Sequence, residues 1–160
     1  MDIRIGQGID FHRLMKGKPL WLGGINIPAD KGCQAHSDGD VLIHAICDAL
    51  LGASGLRDIG YHFPDTDEKY RGIDSKVILK STTDLIRDKG FVIMNIDSTV
   101  CLEKPRLASF IEEMRECMAG VCAIEKEHIS VKATTTEKMG FTGRGEGIMA
   151  IASVLLKKAV

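Results

Sequence analysis

No C-x-x-C pair occurs among the five cysteines, Cys33, Cys47, Cys101, Cys117 and Cys122. That spacing indicates neither a zinc ribbon nor a disulfide framework, and reduced thiols are expected. An excess of one charge is also missing, since 21 Lys+Arg face 22 Asp+Glu. A broad basic field of the kind that binds nucleic acid is thereby excluded, and any phosphate must be held by local groups. No stretch approaches the ~20 apolar residues of a membrane span, and the opening MDIRIGQGID has no long apolar run. A soluble, cytoplasmic protein with no nucleic-acid or membrane partner is expected. No repeat or low-complexity segment is visible in the 160 residues, a length that fits a single domain over residues 1–160.

Glycine, by contrast, is plentiful. Its 17 copies cluster in short strings such as GQG, LGG and GRGEG, which points to shaped loops rather than a linker. From Asp2 to His12 the alternation places Ile3, Ile5, Ile9 and Phe11 on one face of a strand, with Asp10 and His12 together on the other. Trp21 to Ile27 reads as a short hairpin around Gly23-Gly24. Ser37 and Asp40 have capping-box spacing, with Asp38 as a rival cap, so a helix is expected from about Asp38. Val41, Ile43, Ala45, Ile46, Ala49 and Leu50 form its apolar face, while Asp40, His44 and Asp48 recur every four residues.

Residues 57–75 are polar and aperiodic, a long loop of the functional or mobile kind. Ser75 is a candidate cap for a second helix, anchored by Val77, Ile78, Leu85 and Ile86 and stopped by Gly90. A strand over Phe91–Leu102 follows, then a helix after Pro105 ended by Gly120, then a strand at Ile129–Ala133. Ile148–Leu156 is apolar on both parities, as in a strand buried on both faces. The order implies an α+β sandwich, a mixed sheet with helices layered on one face.

Three groups of residues carry candidate chemistry. Asp10, His12 and His44 supply one carboxylate and two imidazoles, the donor set of a zinc site with one open position. The same residues also fit polar groups on an edge strand and a His44 paired to Asp40 or Asp48. Thr134, Thr135, Thr136 and Glu137 precede GFTGRGEG; hydroxyls, free N–H groups and a carboxylate suit phosphate oxygens and magnesium, although the Walker spacing is missing. A Thr- and Gly-rich turn fits equally well. Asp58, Asp65 and Asp67 suit sugar or polyol hydroxyls or a metal, or else a solvated turn. His62 and His128 read as surface or structural residues.

Four strings in order, RIGQGIDFHRL (Arg4–Leu14), AHSDGDVLIHAICDALLGA (Ala35–Ala53), DIGYHFPDTD (Asp58–Asp67) and KATTTEKMGFTGRGEG (Lys132–Gly147), resemble the 2-C-methyl-D-erythritol 2,4-cyclodiphosphate synthase family over nearly the whole chain. The resemblance implies a homotrimer with active sites between subunits. It also implies cyclisation of 4-diphosphocytidyl-2-C-methyl-D-erythritol 2-phosphate with release of CMP, in the non-mevalonate route to isoprenoids. Asp10, His12 and His44 would hold one zinc ion beside the substrate, and Glu137 a magnesium or manganese ion bridging the phosphates. His36 and Thr135 match transition-state stabilisers, with Ser37 and Thr136 beside the phosphates. Asp58 and Gly60 match contacts to ribose and erythritol, and Phe63, Pro64, Asp65, Thr66 and Asp67 a polyol loop. The cytosine pocket maps to Leu102, Pro105, Arg106, Leu107 and Ala108 with Ala133 and Thr134; Arg106 stands where a lysine is more usual. Phe141 and Arg144 match residues near a threefold axis, where some members have a cavity suited to isoprenoid diphosphates. Residue types alone also fit a nucleotide-binding metal protein without turnover, or a zinc phosphohydrolase giving a linear product.

Overall fold

A computed structural model describes residues 2–159, so Met1 and Val160 of the expected 1–160 domain lie outside the described residues. Five strands form a mixed sheet in the order β4-β1-β7-β5-β6. They are β1 (Ile3–Lys16), β4 (Lys31–Gln34), β5 (Phe91–Cys101), β6 (Ile129–Thr134) and β7 (Gly147–Lys158). Only β5 and β6 run parallel; β1 pairs antiparallel with β4 and β7, and β7 with β5. Helices α1 (Val41–Ala53), α3 (Ser75–Asp88) and α4 (Ile111–Cys122) layer on the sheet, with α1 against β1 and β7. The mixed sheet with a helical layer agrees with the α+β expectation.

Glycine decides how close α1 lies. A Cβ at Gly6 would stand 2.0 Å from the Ala49 carbonyl oxygen, and one at Gly8 2.0 Å from that of Ala45. With small residues on both sides, helix and strand meet backbone to backbone, and His44 arrives directly over Asp10 and His12. Around the rest of α1 nearly every side chain is buried, including Leu42, Ile43, Ile46, Leu50 and Leu51. This helix is a core element rather than an amphipathic one.

Helix α1 starts at Val41, later than expected, with Asp40 as its N-cap accepting from the Ile43 amide at 3.0 Å. Gly39 is left-handed at φ 78°, which stops the helix from extending back to Asp38 or Ser37. Asp40 is fully buried and also accepts from the amides of Gly23 (3.0 Å) and Gly24 (2.7 Å). Those glycines, at φ 59° and 82°, form the two-residue turn between β2 (Leu20–Leu22) and β3 (Ile25–Ile27). One carboxylate therefore ties the expected hairpin to the start of the helix.

Other boundaries moved for local reasons. Asp74, not Ser75, caps α3, accepting from the Lys76 amide at 2.8 Å. Val77 is exposed rather than an anchor, and Leu79 is buried in its place. Gly120 stays inside α4, which ends at left-handed Ala123. The 57–75 loop contains α2 (Ile59–His62), capped by Asp58, and a 3-10 turn at Glu68–Tyr70 capped by Asp67. In β7 the buried side chains are Ile148, Ala150, Ala152, Val154 and Leu156, all on one face, because helices cover one face alone. The other face carries exposed Ile3, Ile5, Ile9, Phe11 and Leu155, with Ile5 at 79% of its full exposure.

Candidate metal centre and active site

Asp10 and His12 lie on the same side of β1, and α1 brings His44 down onto them. His44 Nδ1 is 3.1 Å from Asp10 Oδ2 and 3.2 Å from His12 Nε2, and His12 Nε2 is 3.2 Å from Asp10 Oδ2. Donors about 2.0 Å from a tetrahedral Zn²⁺ stand roughly 3.3 Å apart, so this triangle fits one face of such a shell. Among the described residues this is the cluster of His, Cys and acidic groups with ligand geometry. Neither alternative partner of His44 is used: Asp40 holds the hairpin, and Asp48 accepts from the Ile59 amide at 2.7 Å.

The two imidazoles are tuned in opposite directions. Burial pushes the pKa of His12 down, against the pull of Asp10. Burial acts the same way on His44, but the hydrogen bond and charge of Asp10, with Asp40 and Asp38 behind, outweigh it and the net shift is upward. Two neutral rings and a carboxylate would be the set offered to a cation.

Beside the trio is a cavity of about 440 Å³, lined in part by His12, His36, Ser37, His44, Gly60, Phe63 and Asp65. His36 Nε2 is buried there without a protein partner among the described residues, a polar atom suited to a ligand. Asp48 holds α2 against this cavity, and Tyr70 closes it by stacking edge-on against Phe63 at 5.6 Å. Tyr70 and Ile73 had no signal in the sequence beyond their position in an aperiodic loop, and Ile78 was read only as an apolar anchor of the second helix. Asp58 and Asp67 use a carboxylate oxygen for capping, and Pro64 and Thr66 do not line the cavity.

The remaining site candidates lie elsewhere in the chain. Asp10 pairs with Ala150, Ala150 with Val100, and Val100 with Ala133, so Ala133 is three strands from the metal trio. Three spacings of about 4.8 Å put roughly 14 Å between them. The cavity is lined by none of the residues 102–108 or 133–137. At the far edge, Thr135 Oγ1 donates to Glu137 Oε1 at 3.2 Å, and Glu137 and Lys138 are both left-handed, at φ 53° and 65°. Such strain in non-glycine residues is found where a loop is shaped for function. Leu102 and Leu107 are buried, whereas Arg106, Ala108, Ala133 and Thr134 are exposed. Phe141 lines a second hollow of about 640 Å³ that shares only His12 with the first. Arg144 is paired with Glu146 at 2.9 Å.

No helix among the described residues is long and apolar enough to cross a membrane. The family model described as YgbB matches residues 3–157. A 2-C-methyl-D-erythritol 2,4-cyclodiphosphate synthase of Bacteroides thetaiotaomicron is 58% identical over 158 residues, 99% of each chain. The synthase of Porphyromonas gingivalis is 56% identical, covering 98% of this chain and 97% of the relative. Among solved structures, the bifunctional IspDF of Campylobacter jejuni superposes with a TM-score of 0.95 at 44% identity over 98% of this chain, which spans 42% of that larger protein. A CDP-bound 2C-methyl-D-erythritol-2,4-cyclodiphosphate synthase gives 0.89 at 37% identity, over 96% of this chain and 100% of that one. With its candidate metal trio, its cavity and this likeness along almost its full length, the chain belongs to the YgbB family, that of the 2-C-methyl-D-erythritol 2,4-cyclodiphosphate synthases.

Proposed function

We propose that the chain converts 4-diphosphocytidyl-2-C-methyl-D-erythritol 2-phosphate to 2-C-methyl-D-erythritol 2,4-cyclodiphosphate and CMP, a step of the non-mevalonate route to isoprenoids. The reading rests above all on the convergence of Asp10, His12 and His44 to 3.1–3.2 Å beside the His36 cavity. The names of the relatives supply the substrate class.

A 2-phosphate oxygen attacks the β-phosphorus while the bond from that phosphorus to the bridging oxygen breaks. CMP leaves with the α-phosphate and the bridging oxygen, and the new P–O–P link closes the ring without consuming water. Asp10, His12 and His44 would hold zinc and Glu137 magnesium or manganese, Lewis acids that draw charge from the phosphoryl oxygens when bound. His36 and Thr135 donate hydrogen bonds to oxygens gaining charge, with Ser37 and Thr136 alongside. Asp58, Gly60 and the Phe63–Asp67 loop hold the ribose and erythritol hydroxyls. Leu102, Pro105, Arg106, Leu107, Ala108, Ala133 and Thr134 hold the cytosine end. Folding the tethered substrate so that its ends meet can contribute roughly 7–11 kcal/mol.

The working unit is a homotrimer, with each active site joining the metal side of one subunit to the β6 edge of the next. Two observations support it: the ~14 Å between these halves within one chain, and the bare apolar face around Ile5. Phe141 and Arg144 then lie near the threefold axis, where an isoprenoid diphosphate fits a central cavity.

Phosphorus NMR of the zinc- and magnesium-loaded protein with the diphosphocytidyl substrate tests the reaction. CMP and a cyclic diphosphate should appear, and both should be lost on metal stripping and in His44→Ala. A linear monophosphate would replace the cyclase by a hydrolase, and tight binding without product would leave a nucleotide-binding protein.

A further inference from the structure

We infer that Ser75 and Asp38 are positioning residues that fix the tautomer and orientation of the His44 imidazole, making Nδ1 the atom that receives a divalent cation. The inference rests on the metal reading of Asp10, His12 and His44, and concerns the opposite edge of the His44 ring. His44 Nε2 is 2.9 Å from Ser75 Oγ, and Ser75 is fully buried. The Ser75 hydroxyl donates in a short hydrogen bond to Asp38 Oδ1. A serine hydroxyl carries one hydrogen, and a carboxylate has none to give. With that hydrogen committed to Asp38, Ser75 Oγ can only accept from the ring, so Nε2 keeps a proton, with Ser37 Oγ a second neighbour at 3.2 Å, and Nδ1, 3.1 Å from Asp10 Oδ2, is the nitrogen that gives up its proton when a cation enters.

Asp38 is itself held firmly enough to impose this direction. Its Oδ2 accepts the Ser75 amide at 2.8 Å, and Oδ1 also accepts the Asp40 amide at 3.1 Å. Its own amide donates to the Ile73 carbonyl at 3.1 Å, and the Gly72 amide donates to the His36 carbonyl at 2.7 Å. The relay therefore joins three parts of the site: the loop bearing His36 and Ser37, the start of α3, and the metal-facing imidazole. Outer partners of this kind raise the basicity of a ligating histidine and remove the entropy of ring rotation. The alternative arrangement, with Ser75 donating to a bare Nε2, would turn the Nδ1 hydrogen toward the cation position and strip Asp38 of its hydroxyl donor.

The test uses the full-length, metal-stripped protein with zinc as the probe. Zinc affinity is read by competition with a chromophoric chelator, and the His44 tautomer by ring nitrogen NMR. Ser75→Ala should weaken zinc about 10- to 100-fold and, in the zinc-loaded protein, replace the single Nδ1-ligated, Nε2–H form of His44 by a mixture. Asp38→Asn leaves one oxygen to accept the Ser75 hydroxyl, so it should keep the tautomer and stay much closer to wild type in affinity. If Ser75→Ala fails to fold, Asp38→Ala carries the test, since it frees the hydroxyl to rotate. Unchanged affinity and tautomer in Ser75→Ala would overturn the inference. So would equal losses in Ser75→Ala and Asp38→Asn together with matching drops in apo melting temperature, which mark general packing. A wild-type chain that takes up no zinc would sink the metal reading and this inference with it. Zinc binding without cyclisation would leave the inference standing and remove only the proposed reaction.

Discussion

On β1 the face toward α1 carries Gly6, Gly8, Asp10 and His12, whereas the opposite face carries Ile3, Ile5, Ile9 and Phe11. The usual arrangement of large apolar residues inside and small ones outside is reversed in this strand. On the inner face, absence of side chains lets α1 approach until His44 reaches its partners, so smallness there is a positioning device. On the outer face, large side chains remain uncovered in a single chain, which is the ground for the proposed trimer. The same strand therefore carries a candidate metal trio on one side and an exposed apolar face on the other.

The largest effect is expected from breaking the inner face. Gly8→Ala places a Cβ 2.0 Å from the Ala45 carbonyl oxygen, and backbone cannot yield cheaply. A loss of about 3 kcal/mol or more in chemical unfolding, with zinc uptake abolished, is the expected result. Gly52→Ala is the control, because a Cβ there meets nothing within 4 Å. In the last turn of α1 it should be neutral or stabilise by up to roughly 0.5–1 kcal/mol. Equal behaviour of the two variants would remove the argument from close approach.

Next comes the outer face. Ile5→Asp should give a monomer by light scattering, with zinc affinity within about threefold of wild type because the metal trio comes from one chain. Turnover should collapse if the site is completed by a neighbour. Retained turnover in a proven monomer would refute the shared site. A smaller loss is expected from Thr135→Ala at the β6 edge, about 10²-fold in kcat with melting unchanged, read by single-turnover release of CMP.

The mildest test concerns thiols. Burial pushes Cys33 up to about 12 and Cys122 up to about 11, and Cys47 higher still. At pH 8 no more than two thiols, Cys101 and Cys117, should react with a disulfide reagent in the native protein, and all five after unfolding. The sign of the linkage follows: the buried thiols lose protons more readily when unfolded, so their contribution to stability fades as pH rises past the ordinary thiol value of 9.0. Rapid native labelling of Cys47 would show that α1 leaves the sheet.

Much of the site was legible because its residues occupy short contiguous strings. Asp10 and His12 are two apart on a strand, which fixes them on one face from the alternation alone. The Gly23-Gly24 turn and the long apolar run of α1 were equally local. What failed depended on distant partners. Ser37 and Asp40 looked like a capping box, but left-handed Gly39 stands between them and Asp40 is held by a hairpin 16 residues away. Ser75 looked like a cap, yet its hydroxyl belongs to Asp38 and His44. β7 looked buried on both faces, and a single chain covers only one.

By itself the sequence determined the order of the long strands and helices, though not the short β4 and α2, the local pairing of Asp10 with His12, and the strings that carry the family resemblance, because each is set by spacing along the chain. Tertiary structure alone decided that His44 meets that pair within hydrogen-bond distance, that Asp38 and Ser75 stand behind it, and that residues 133–137 lie three strands away. Those facts follow from how closely a helix can approach glycines and from the order in which strands join a sheet, and neither is written in local periodicity.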